Sequence, residues 1–192
     1  MERRTWGNTW RYVAGIVACL FMGYFGFVRN TRVPPLGLVD LGFHELGHLV
    51  TYWMSDVICA AMGSINQVLV PLGCASYFLL RPGRRDLLAA GVCLAWAGTS
   101  AQDVSTYIAD APYQRLHLIG GIHDWAFVLG PQHLDHLDWA APIAATVKTL
   151  GGILILAGVA APASTDWCGR TVRRVARSDP RPAGPCRHAR ST

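Results

Sequence analysis

Charge is scarce in this chain and glutamate scarcest: of 192 residues 15% are charged, and only Glu2 and Glu45 are glutamates. So little charge excludes an ordinary water-facing surface over most of the length. The six cysteines, Cys19, Cys59, Cys74, Cys93, Cys168 and Cys186, include no C-x-x-C spacing. Four of the six fall in apolar runs, where they read as small buried hydrophobes and not as a disulfide framework. No ten-residue alternation of apolar and polar residues occurs, which excludes a membrane barrel. No small-x-small cleavage site follows Gly26, so the basic start and its apolar run read as an uncleaved anchor.

What the chain does have is long apolar runs. Residues 12–28, 57–80 and 87–102 carry no charge, and 139–165 carry only Lys148. With 33–54 these make five candidate spans, each near the roughly 20 residues that a bilayer helix needs. The expected fold is all-α, a polytopic transmembrane helical bundle of about five membrane segments. One unit is expected over 1–165, with 111–138 as an outer-side connector and 166–192 as a basic, disordered cytoplasmic tail. The lipid bilayer is then the main partner and the plasma membrane the expected location.

Most of the formal charge of +5 belongs to the tail, whose seven arginines face only Asp166 and Asp179. Beside a membrane span such charge is an orientation signal rather than a nucleic-acid arm. Arg81, Arg84 and Arg85 mark a second cytoplasmic turn. Five full crossings would nevertheless put the basic N-terminus, with Arg3, Arg4 and Arg11, outside. Either the charge rule is outvoted there, or one early segment does not cross; Pro34-Pro35 and Gly37 favour the segment after them as that one, because broken backbone is tolerated where it lines a cavity.

That segment contains His44-Glu45-Leu46-Gly47-His48, expected on the second helix. Residues four apart on a helix stand nearly above one another, so the two imidazoles can face one metal ion with Glu45 beside them. Two histidines, a third protein ligand and an open position form a catalytic zinc (Zn2+) site, in which Glu45 is the candidate general base. An ionisable cluster in an apolar run is costly, which favours function over packing.

Two places offer the third ligand. Asp103 ends an apolar run and shares a helical face with Thr99, Tyr107 and Asp110. His123-Asp124-Trp125, in a connector rich in His and Asp, can supply a ligand or an acceptor behind one. Asp40, a turn before His44, can accept the outer N–H of a ligating imidazole. Lys148 can pair with a carboxylate or stabilise an oxyanion, and Asn66 and Gln67 can bridge helices or orient a peptide.

The motif in an early apolar segment, followed by Asp103 in a later one, resembles the site-2-protease-like, M50-type intramembrane metalloproteases. With Gln102-Asp103, Tyr107-Ile108-Ala109-Asp110-Ala111 and His123-Asp124-Trp125, the chain looks more closely like small bacterial membrane proteins of that neighbourhood. The resemblance covers roughly 36–160. It implies zinc on His44 and His48, Glu45 as base, and hydrolysis of a membrane-associated polypeptide. The family's third ligand stands in a Leu-Asp-Gly context, whereas Asp103 stands in Gln-Asp-Val. The competing expectation is a non-proteolytic protein using the same residues for metal binding, sensing or transport.

Overall fold

The computed structural model describes residues 3–83, 85–118 and 121–177, with side chains from 10 to 162. It is helical, with no strand among the described residues. The principal helices are α1 (Arg3–Gly23), α2 (Leu36–Thr51), α3 (Asp56–Leu80), α4 (Leu87–Asp110), α5 (Asp124–Leu129) and α6 (Ala140–Arg177). A π-helical turn, Tyr24–Val28, extends α1.

Three stretches are long and apolar enough to cross a membrane by length and composition: Trp10–Val28, Asp56–Leu80 and Leu137–Pro162. Of the five expected spans, these three meet that measure. At 16 residues α2 is short of a bilayer's thickness. α4 is diluted by Thr99, Ser100, Gln102, Asp103, Ser105 and Thr106. α6 continues through Pro162 to Arg177. The proline supplies no N–H, which frees the Gly158 carbonyl, and Cys19 donates to it from α1 at 3.7 Å. The tail beyond 177, including Cys186, lies outside the described residues, as does Arg84.

Sidedness is the reverse of a soluble bundle. The buried positions of α4 are mostly Ala, Gly, Ser, Thr and Gln. Large apolar side chains such as Val17, Leu69, Leu150 and Leu156 stand exposed. Small residues let backbones meet, the way helices associate where lipid is as apolar as leucine. A Cβ on Gly98 would lie 2.6 Å from the Gly151 carbonyl oxygen, and one on Gly91 would lie 2.6 Å from that of Gly158. Both helices repeat this contact after seven residues, two turns, so α4 and α6 run antiparallel along one seam.

Direction follows from such pairs. Gly15 meets Leu88 and Gly26 meets Thr99, so α1 runs with α4. Asp40 meets Trp96 and Ser100 while His44 meets Tyr107, so α2 also runs with α4. α2 therefore continues in the direction of α1 instead of returning. The N-terminal end of α1, the turn between α3 and α4 and the C-terminal end of α6 consequently share one end of the bundle. Arg11 lies 3.9 Å from Asp86 there.

The glycine seam predicts that Gly98→Ala destabilises the protein by about 1–3 kcal/mol, because backbone must move to admit the methyl. Gly73→Ala on α3, where nothing lies within 4 Å, should be neutral. Thermal unfolding in matched detergent micelles measures both.

Candidate metal centre

α2 presents His44 and His48 on one face, and α3 packs backbone-first against them. A Cβ on Gly47 would fall 2.3 Å from the Met62 carbonyl oxygen. A Cβ on Gly63 would fall 2.5 Å from His48 Nε2 and 2.7 Å from His44 Nε2. Only glycine at 63 leaves both ring nitrogens room. Asn66 fixes the register by donating to the Phe43 carbonyl at 2.6 Å.

α5 brings the third group. Asp124 Oδ2 lies 3.0 Å from His44 Nε2 and 3.4 Å from His48 Nε2. Ligand atoms of His44, His48 and Asp124 lie within 4.8 Å of one another, and the three could hold a metal ion. His48 Nδ1 is 2.8 Å from the Cys59 carbonyl oxygen, which can only accept, so Nδ1 carries the proton. In the neutral ring Nε2 then faces the carboxylate with a lone pair. Two lone pairs at that separation repel, and either a second ring proton or a cation between the groups relieves them. A hydrogen-bonded Nδ1–H is the arrangement that orients a metal-ligating histidine. Two imidazoles and a carboxylate also match the donors zinc takes in catalytic sites.

Three contacts position Asp124. The Tyr107 hydroxyl donates to its Oδ2 at 3.2 Å and accepts its backbone N–H at 2.9 Å. Trp125 Nε1 donates to Ser64 Oγ at 3.0 Å, tying α5 to α3. His123 caps α5 by accepting the Ala126 N–H on Nδ1, and its ring stacks on Tyr107 with centroids 4.3 Å apart. Burial pulls the His123 imidazole below its usual range, against the upward pull of Asp110 and Asp124. The neutral ring has its proton on Nε2, which makes no hydrogen bond among the described residues, the Asp110 carboxylate being 3.5 Å away.

The structure does not bring the two other third-ligand candidates into the cluster. Asp103 is occupied elsewhere: Arg32 Nε donates to Oδ1 at 2.9 Å and Gln67 Nε2 to Oδ2 at 3.1 Å. His123 is committed to its cap and its tyrosine stack. Asp40 does not hold a histidine either. It is buried and accepts from Trp96 Nε1 at 2.7 Å and Ser100 Oγ at 3.0 Å, which locks α2 to α4. Lys148 donates to Asn30 Oδ1 at 3.1 Å and so braces α6 against the turn after α1. Nothing in the sequence alone marks Trp96 or Arg32, and Gly63 is marked only faintly. The repeat Gly63, Gln67, Pro71, one residue per turn in an apolar run, was the available sign of an inward face.

A cavity of about 290 Å³ opens onto the cluster. Glu45, His44, His48 and Asp124 line it together with Arg32, Asp103 and Tyr107. Glu45 is engaged by no hydrogen bond or ion pair among the described residues, so its carboxylate is available to take a proton.

Asp124→Asn should therefore lower retention of a bound divalent ion, while Asp103→Asn should leave it nearly unchanged, as read by metal analysis of the purified protein. Gly63→Ala should weaken metal binding by about tenfold or more with every ligand intact. Comparisons with protein-family models, curated proteins and solved structures find no match, so the site's geometry carries the functional argument alone.

Proposed function

We propose that this chain is a membrane-embedded zinc metallopeptidase, of the M50 type, that hydrolyses peptide bonds of membrane-associated polypeptides. The observation that supports it is the convergence of His44, His48 and Asp124 within 4.8 Å, with Glu45, unpaired among the described residues, in the same cavity. His44 and His48 would hold the ion through Nε2 and Asp124 through a carboxylate oxygen. When bound, zinc supplies Lewis acidity, polarising a carbonyl and making water acidic enough to lose a proton near neutral pH.

Glu45 follows His44 on α2, and its carboxylate accepts the proton from the attacking water. The same proton then passes to the departing amine nitrogen as the C–N bond breaks. Tyr107 and the Cys59 carbonyl do no chemistry; they hold Asp124 and His48 in place. Three apolar helices support a membrane setting. By the charge rule, the end that gathers the basic segments is the cytoplasmic one.

Cleavage of labelled single-span polypeptides by zinc-loaded protein tests this reading. Glu45→Gln should lower cleavage by about a thousandfold or more while keeping zinc stoichiometry, since the substitution removes the base and no ligand. Full activity in that variant sinks the mechanism. Stoichiometric zinc without turnover of any polypeptide in the wild type favours metal binding, sensing or transport instead.

A further inference from the structure

The Arg32 side chain is built into the cavity from both ends. Its stem lies over the start of α2, where a Cβ on Gly37 would come within 3.0 Å of Arg32 Cβ and 3.3 Å of its Cδ. Its Nε is taken by Asp103 Oδ1 at 2.9 Å. Asp103 is itself fixed, because Gln67, 4% exposed, donates to its other oxygen. A guanidinium has five N–H donors in a planar fork, and Nε accounts for one. The four on the two Nη atoms have no protein partner among the described residues.

An ion pair for stability alone gains little when its arginine is 58% exposed. This one lines the same cavity as Glu45 and Asp124, where it is the only Lys or Arg among the lining residues. Asp103 neutralises part of its charge and sets its plane, leaving the outer edge for an anionic oxygen pair. A planar fork meets a carboxylate with two parallel hydrogen bonds.

We propose that Arg32 is the substrate-anchoring residue of this cavity, holding a carboxylate of the bound polypeptide through its Nη edge. This rests on the reading that the cavity accepts polypeptide. It adds a substrate class: chains that present a free C-terminal carboxylate, or an acidic side chain, a short distance from the bond over the metal centre. Asp103 is then a positioning residue for Arg32, which accounts for a carboxylate beside the metal cluster that does not join it.

The test is equilibrium binding by calorimetry to the full chain in its metal-free form, so that neither zinc nor turnover contributes. The probes are N-acetyl-Ala-Leu-Ala as free acid, the same peptide as C-terminal amide, and an amide with glutamate at the middle position. The free acid should bind about ten- to hundredfold tighter than the plain amide. Arg32→Gln should erase that preference, and Arg32→Lys, which keeps charge without the fork, should retain part of it. Tight binding of the glutamate amide supports the anchor and assigns it to acidic side chains. Equal binding of acid and plain amide, no measurable binding of either, or a preference surviving in Arg32→Gln overturns it. Should Arg32→Gln not fold, Arg32→Lys decides, an undiminished acid preference there counting against the fork. Acid preference in a protein that cleaves nothing leaves the anchor standing and removes the peptidase reading.

Discussion

Backbone meeting backbone is the constraint on which the rest depends. In water, helices are driven together by apolar side chains; against lipid that drive vanishes, and close contact must come from removing side chains. α4 and α6 meet through Gly91, Gly98, Gly151 and Gly158, and α2 meets α3 through Gly47 and Gly63. The second contact creates the site. With any side chain at 63, the two imidazoles would be pushed off the spot where Asp124 reaches them. One kind of contact thus serves cohesion in one half of the bundle and chemistry in the other.

Having spent their inner faces on small residues, the helices fill the remaining contacts with hydrogen bonds. Asp40 joins α2 to α4 through Trp96 and Ser100, Asn66 joins α3 to the Phe43 carbonyl, and Gln67 joins α3 to Asp103. A buried polar group without a partner is expensive, and these partners lie across helix boundaries rather than within them. Each bond therefore fixes a register as well as satisfying a group. These bonds tie α2, α3 and α4 together, and the α5 segment is held against them through Tyr107 and Ser64.

Helices and the histidine pair were legible in the sequence because both depend on spacing along one element. Uncharged runs at 12–28 and 57–80 became helices, and four-residue spacing placed His44 and His48 on one face. The third member was not legible, since Asp103 and Asp124 differ in what packs beside them and not in what precedes them. What packs beside Asp103 is Arg32, which sits 71 residues away. Asp40 misled for the same reason: a position one turn before His44 is correct for contact, but Trp96 on another helix had the better donor.

Direction was the other hidden quantity, and it bears on a conflict that charge alone creates. Hydropathy is blind to which way a segment runs, so five apolar segments imply alternating crossings and place the basic N-terminus opposite the other basic segments. Because α2 runs with α1, one alternation drops out. Arg11 then meets Asp86, at the turn that also carries Arg81 and Arg85, and the basic stretches gather at one end. The break that makes this possible, Arg29 to Pro35, also delivers Arg32 to Asp103 and starts α2 partway along α4. A segment that only had to cross would need neither a broken start nor a short helix. Both follow if its task is to set His44, Glu45 and His48 against α3 from inside the bundle.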